Sequence, residues 1–384
     1  MYDRSLLQAA NRIVVKVGTS TLTHSNGKLN FFRIEGLVRE LANAVNSGKQ
    51  ILLVSSGAVG AGMDRLGWKE KPKTIPEKQA AAAVGQGILM HTYEKLFGEY
   101  GQVVAQVLLT REDSVNRRRY ANSRNTLLTL LNIGVIPIIN ENDAVAIDEL
   151  KIGDNDTLSA NVAAIVDADA LIILSDVEGV YSANPQTDST AQLLPEIADV
   201  TPEIEAMCGG AGTMRGTGGM LTKMAAARMA MNSGIVMVIA SGARDGAIQE
   251  VLAGKSVGTL FPPRQNRLQF RKRWLAFGAR IKGRLTVDKG CAQALVSSGS
   301  SLLAAGVKAV EGSFEQGSTV SILNQDGWEI ARGLTNYNTD EIHKIMGAHT
   351  HEIMGILGHK PYDEVVHRDN MVLLSRHETE EEKC

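Results

Sequence analysis

The chain has 384 residues, 44% of them hydrophobic and 21% charged, and carries a net charge of −2. That composition excludes a disordered or fibrous protein, and the near-neutral charge excludes strong attraction of the whole chain to nucleic acid or membrane. Cys208, Cys291 and Cys384 form no C-x-x-C pair and are a poor disulfide framework, which fits a reducing, cytoplasmic compartment.

Residues 12 to 261 alternate apolar runs with helical spacing. Ile13–Val17 reads as a strand. Ile34, Leu37, Val38, Leu41 and Val45 recur at helical spacing, with Gly48 placed to end the helix. Ile51–Val54 is the next strand, followed by a helical stretch from Pro76 to Gly98. Val103–Leu109 and Val135–Ile139 read as strands around a helix at Ser123–Asn132. Thr157–Val166 is helical, Leu171–Leu174 a strand, Met220–Asn232 helical and Ile235–Ala240 a strand. Strands that are apolar throughout predict a mainly parallel sheet covered on both faces, an α/β three-layer sandwich. In such sheets ligands lie beyond the C-terminal strand ends, where Lys16, Ser56, Asn140–Asp143, Ser175 and Asp176 all fall.

The texture changes after Phe261. Pro262 to Arg267 reads as the start of a linker. Short pieces follow at Arg284–Val287, Ser301–Leu303, Val307–Val310, Thr319–Leu323 and Glu329–Arg332, punctuated by glycines. The expected organisation is a first domain over 1–261, a linker over 262–280, a small β-rich domain over 281–359 and a tail over 360–384.

Two segments carry phosphate-gripping chemistry: Val14-Val15-Lys16-Val17-Gly18-Thr19-Ser20, and Gly216-Thr217-Gly218-Gly219-Met220-Leu221-Thr222-Lys223. Each joins bare backbone amides to a lysine ammonium, the equipment for holding a phosphoryl group. The P-loop pattern is absent, because Gly27-Lys28 is followed by Leu29. The stretch Gly57-Ala58-Val59-Gly60-Ala61-Gly62 lacks the third glycine of a dinucleotide fingerprint, because position 65 is Arg. Taken singly, a lysine at a strand end is commonly just solvated, and Thr-Gly-Gly is commonly a turn before a helix. Both here point to one sheet edge. Between them lie Asn140-Glu141-Asn142-Asp143 and Gly153-Asp154-Asn155-Asp156. Helix capping by Asp154 or Asn155 accounts for one of these residues. A small zwitterion, which needs a carboxylate for its ammonium and amide or hydroxyl donors for its carboxylate, accounts for the group together with Ser56 and Gly57. The late histidines, His349 and His351 among them, lack partners at metal-ligand spacing. Basic residues from Arg264 to Arg284, with Trp274 and Phe277, read either as an RNA-facing patch or as a linker packing between domains.

The stretches V-V-K-V-G-T-S, V-S-S-G-A-V, I-N-E-N-D-A-V, I-K-I-G-D-N-D and G-T-G-G-M-L-T-K resemble the glutamate-phosphorylating branch of the amino acid kinase family, from about Arg12 to Asn370. The resemblance implies ATP-dependent phosphorylation of the γ-carboxylate of L-glutamate, the first step of proline synthesis, with Mg2+ and with proline as feedback inhibitor. By position it assigns Ser56, Asp143 and Asn155 to glutamate. It assigns Lys16, Ser175, Asp176, Thr217, Gly218, Gly219, Met220, Leu221, Thr222 and Lys223 to ATP. Asp156 is assigned to organise Lys16 and Lys223, the three forming the catalytic set. The family more often has Thr where Ser175 stands, and a hydroxyl is retained. Residues from Ile281 to His359 resemble a PUA domain, a module known from RNA-modifying proteins. A homo-oligomer and a partner reductase for the labile acyl phosphate are further implications. Acetylglutamate, aspartate or a nucleotide as acceptor, and an RNA-binding regulator, are the competing readings.

Overall fold

The computed structural model describes residues 4–24, 27–110, 113, 117–145, 155–185, 188–208, 219–264 and 281–374. Thr217, Gly218, Gly153, Asp154 and most of the basic linker stretch lie outside them. The chain divides into two compact units. One comprises Met1–Ser114 with Ser123–Arg267, the other Val115–Asn122 with Leu268–Cys384.

In chain order the first unit carries α1 (Ser5–Ala9), β1 (Arg12–Val17), α2 (Thr19–Leu22), α3 (Phe31–Asn46), β2 (Gln50–Ser55), α4 (Ala58–Leu66) and α5 (Ile75–Gly98). It continues with β3 (Val104–Leu109), α6 (Arg117–Asn132, of which the part from Ser123 belongs to this unit), β4 (Ile136–Glu141), α7 (Asn155–Ile165), β5 (Ala170–Ser175) and α8 (Pro202–Cys208). It ends with α9 (Met220–Asn232), β6 (Val236–Ser241), α10 (Ala247–Leu252) and β7 (Thr259–Phe261). The seven strands form one sheet in the order β3-β4-β2-β1-β5-β6-β7. All pairs are parallel except β6 with β7. This is the mainly parallel α/β sheet expected from the apolar runs.

The reason is burial on both faces. Ile13, Val14, Val15 and Val17 of β1 and Leu171, Ile172 and Ile173 of β5 are all closed to solvent. Each such side chain contributes about 1.5–3 kcal/mol when fully buried, so a half-polar alternation would forfeit much of the stability. The centre of the sheet is also pinned at its base. The Asp169 carboxylate accepts the backbone N–H groups of Asn11 and Arg12 at 2.9 and 2.8 Å, across separations of 158 and 157 residues.

The helices start where the sequence supplies caps. Asn30 accepts the N–H of Arg33 at the start of α3, whose Ile34, Leu37, Val38 and Leu41 are buried. The α3 helix gives way at Ser47, and Gly48 follows with φ of +87°. Thr74 and Glu77 form a reciprocal capping box on α5, with Pro76 in its first turn. Helix α4 occupies the glycine-rich stretch that lacks the dinucleotide fingerprint. Its glycines serve packing: a Cβ on Gly62 would lie 1.8 Å from the Ala81 carbonyl oxygen, and one on Gly85 would lie 1.7 Å from that of Ala58. The backbones of α4 and α5 therefore touch.

The second unit holds a five-stranded sheet in the order β12-β11-β10-β8-β9, made of β8 (Gly283–Val287), β9 (Val307–Gly312), β10 (Thr319–Leu323), β11 (Glu329–Leu334) and β12 (Met371–Leu373). Only β8 and β10 run parallel. Among the described residues, α11 (Lys289–Ser298), α12 (Thr339–Ile345) and α13 (Ile353–Leu357) accompany it. Leu285, Val287, Leu295, Val320, Ile322, Tyr337 and Ile342 form its core. Ser301–Leu303, expected as a strand piece, makes a single bridge from Leu302 to Val366, because the chain turns at once through Ala304–Gly306. Among the described residues no helix is long and apolar enough to cross a membrane.

Candidate active site

Strand β1 lies between β2 and β5, where the order of connections reverses, and ligands of open parallel sheets collect at such a switch point. Register places the strand ends side by side: Lys16 is opposite Val54 and Ile173, and Val17 is opposite Ser55 and Leu174. After β1 the chain turns at Gly18 into α2. A Cβ on Gly18 would sit 3.5 Å from the Lys16 ammonium nitrogen, filling the space beside it.

Asp156, in the first turn of α7, is the electrostatic centre. It is fully buried, and Lys16 and Lys223 are each only 6% exposed. Lys16 Nζ lies 2.6 Å from Asp156 Oδ1, and Lys223 Nζ lies 3.1 Å from Oδ2. Thr222 Oγ1 donates to the same Oδ2 at 3.0 Å. Burial pushes the Asp156 carboxyl upward, but the two ammonium groups outweigh it and hold the group below the usual carboxylate range. Lys223 arrives from the first turns of α9, which starts at Gly219 in extended conformation. Met220 is half-buried and Leu221 is 52% exposed on the same turn. Ser175, buried at the end of β5, donates its hydroxyl to Asp176 Oδ1 at 3.0 Å, and Asp176 is exposed beyond it.

One residue before Asp156 the environment changes from ionic to amide. Asn155 Nδ2 donates to Ser56 Oγ at 2.8 Å, to Asn140 Oδ1 at 2.9 Å and to the Ser55 carbonyl at 3.1 Å. Capping is therefore not what this amide nitrogen does; it ties α7 to the ends of β2 and β4. Asn140 is buried at the end of β4, and Asp143 lies half-buried in the turn that follows. Gly57, with φ of +100°, turns the chain from Ser56 into α4, a conformation that favours glycine.

The structure thus groups Lys16, Asp156, Thr222 and Lys223, and separately Ser56, Asn140 and Asn155. Sequence reasoning missed Gln86 and Tyr93 on α5. Gln86 Oε1 accepts from Asn140 Nδ2 at 2.9 Å, and the Tyr93 hydroxyl lies 2.8 Å from Ser55 Oγ. The available signal was a glutamine beside Gly85 on an alanine-rich helix, which by periodicity alone reads as surface.

A parallel sheet whose switch point presents two lysines on one buried carboxylate, beside a cluster of amides, fits a kinase of small molecules. The chain belongs to the amino acid kinase family, whose profile matches residues 11–241, and residues 283–357 match the PUA domain. It is similar to glutamate 5-kinase of Moorella thermoacetica, at 58% identity over 97% of this chain and 98% of that protein. Glutamate 5-kinase of Caldanaerobacter subterraneus matches at 53% identity over 96% and 99%. That of Carboxydothermus hydrogenoformans matches at 52% over 97% and 100%. Among solved structures, UMP kinase from Bacillus anthracis superposes with a TM-score of 0.48 at 15% identity, covering 67% of this chain and 97% of that one.

Proposed function

We propose that this chain transfers the γ-phosphoryl group of ATP to the γ-carboxylate of L-glutamate, the entry step of proline synthesis. The observation that carries the reading is the pair Asn155-Asp156. These consecutive residues open α7, one anchored in the amide cluster and the other holding both lysines. Acceptor and phosphoryl groups would meet at that helix start. Relatives bearing the name glutamate 5-kinase at 52–58% identity support the choice of acceptor.

A carboxylate is ionised at neutral pH, so glutamate attacks phosphorus without a general base. Ser56 and Asn155 orient its polar groups, and Asp143 offers a carboxylate to its ammonium. The new bond forms between a γ-carboxylate oxygen and the γ-phosphorus, while the bond to the β,γ-bridging oxygen breaks and ADP leaves with that electron pair. Lys16 and Lys223 offset charge on the transferring oxygens and on the leaving β-phosphate, and Asp156 keeps the two ammonium groups at fixed positions. The family resemblance assigns 217–223, with Ser175 and Asp176, to ATP, and on that side Lys223 lies in the first turn of α9 and Ser175 at the end of β5.

Mg2+ would be brought by the nucleotide. Among the described residues no three His, Cys, Asp or Glu side chains gather as a metal cage, and Asp156 is committed to the lysines. Bound to the phosphates, the ion would neutralise part of their charge. The family resemblance supports the remaining parts of the reading: proline as feedback inhibitor, a homo-oligomer in the cytoplasm, a reductase that consumes the acyl phosphate, and a kinase domain over 1–261 separable from the PUA-like domain.

The test is ADP release with Mg-ATP and L-glutamate, with hydroxylamine present to trap acyl phosphate as hydroxamate. Glutamate-dependent hydroxamate that declines when proline is added is expected. Turnover with acetylglutamate or aspartate but not glutamate would overturn the acceptor assignment.

A further inference from the structure

Helix α5 contributes no residue to the two groups just described, yet it touches the ends of both strands that hold the amide cluster. Gln86 reaches the end of β4 through Asn140 at 2.9 Å. Tyr93, seven positions on and so on the same helix face, is fully buried and reaches the end of β2 through Ser55 at 2.8 Å. The approach is fixed by Gly62 and Gly85, where any Cβ would collide with the facing backbone.

We infer that α5 sets the geometry of the acceptor pocket, and that Gln86 is a positioning residue for glutamate that acts by fixing the direction of the Asn140 amide; the inference rests on the function proposed above. An amide can be inverted end for end, and only its partners decide which end faces which way. Gln86 Oε1 accepts from Asn140 Nδ2, which turns Asn140 Oδ1 toward Asn155 Nδ2 and toward the Glu141 N–H, each at 2.9 Å. Without the glutamine acceptor, inversion of Asn140 costs no bond at that end. It would set one amide nitrogen against another and loosen Asn155, whose Nδ2 also holds Ser56 Oγ. The chain Gln86–Asn140–Asn155–Ser56 is thus a relay of direction from a rigid helix to a proposed substrate contact. Gln86 itself is bonded to Asn140 rather than to the pocket, so its loss should alter substrate affinity and leave the phosphoryl-transfer side intact.

The test uses the full-length enzyme and the hydroxamate assay. Gln86→Met removes the acceptor, keeps a similar length and places a good helix former on a half-buried helix position, so the variant should fold; a thermal melt checks it. Gln86→Ala removes the same acceptor without bulk. Both should raise KM for glutamate about 5- to 10-fold, the effect of losing one hydrogen bond, with kcat and KM for ATP within about twofold of the parent. In an Asn140→Ala background the further change on Gln86→Met should vanish, because the two act through one amide. An unchanged glutamate KM overturns the inference, as does an effect that persists undiminished in the Asn140→Ala background. A parent enzyme that forms no hydroxamate from glutamate overturns the proposed function as well. Parental turnover with an indifferent Gln86→Met variant overturns this inference alone.

Discussion

Asp156→Asn isolates the role of one charge. The side chain is fully buried, with Lys16 at 2.6 Å and Lys223 at 3.1 Å on its two oxygens. Asparagine keeps the size and one acceptor oxygen for Thr222, but it leaves two nearly buried ammonium groups without an anion. Breaking a buried ion pair by removing one partner costs about 3–5 kcal/mol. One of the two ammonium groups can turn toward solvent, so the lower end, about 3 kcal/mol, is expected. For a unit of this size each kcal/mol lowers the melting midpoint by about 2–4 °C, so the nucleotide-free melt should fall by roughly 6–12 °C. Turnover should fall further than stability implies. The lysines would no longer be held where charge develops, and losing one such electrostatic contact typically lowers kcat by about 100- to 1000-fold. KM for ATP should not rise, because removing a carboxylate makes the lysines better anion ligands. Hydroxamate formation at saturating glutamate, with a melt of the same sample, measures both. A folded D156N variant with kcat within threefold of the parent would refute the assignment of Asp156 as organiser of the lysines.

Lys223→Met should lower kcat about 100- to 1000-fold, in proportion to a lost cation at the transferring phosphoryl group; steady-state kinetics on folded protein with near-normal turnover would sink that role. The stability gap between the parent and D156N should depend on pH. Asp156 is held below its ordinary value of 3.8, so its contribution is fully present above that pH and is lost as the pH falls through the folded-state value. Urea titrations at pH 7 and pH 3 should therefore show the gap narrowing, and a constant gap would contradict the ion-pair account. Gly85→Ala should destabilise by about 1–3 kcal/mol, because its Cβ meets the Ala58 carbonyl oxygen at 1.7 Å and the helices must separate. It should also raise KM for glutamate, and a variant with the parental melt would show that the crossing is softer than its geometry. A chain ended after Pro263 should keep glutamate-dependent hydroxamate formation, since Lys16, Asn155, Asp156 and Lys223 all precede that point; loss of activity in a folded truncation would assign the second unit a part in catalysis.

The sheet was legible because its strands are buried on both faces. Runs such as Ile13–Val17 and Leu171–Leu174 have no polar alternation to confuse their reading, and the structure extends each by only a residue or so. Lys16, Asp156 and Lys223 could be nominated from motif and strand-end position, but their convergence on one carboxylate depends on how α7 and α9 pack beside the end of β1, which no local spacing encodes. Helix α4 is hard to read in the sequence because Gly60 and Gly62 lower helix propensity, and the tertiary contact with α5 explains Gly62. Gln86 and Tyr93 escaped for a related reason. A long helix with little difference between its faces does not announce which polar side chains turn inward. Ser301–Leu303 looked like a strand because three residues are too few to distinguish an extended bridge from a sheet member.

The long-range ties at the base of β1 bear on how this enzyme comes into being. Asp169 bonds to Asn11 and Arg12 across separations of 158 and 157 residues, and β5 follows it directly. On a growing chain the first strand is synthesised early, yet its second neighbour emerges only after β2, β3, β4 and α7. Contacts that close such large loops are slow to form. Lys16 on β1 meets Asp156 on α7, the helix that leads into that neighbour. The proposed phosphoryl-transfer centre thus joins residues synthesised far apart, Lys16 early and Lys223 late, and recovery of kinase activity on refolding is expected to require α7 and α9 as well as β1.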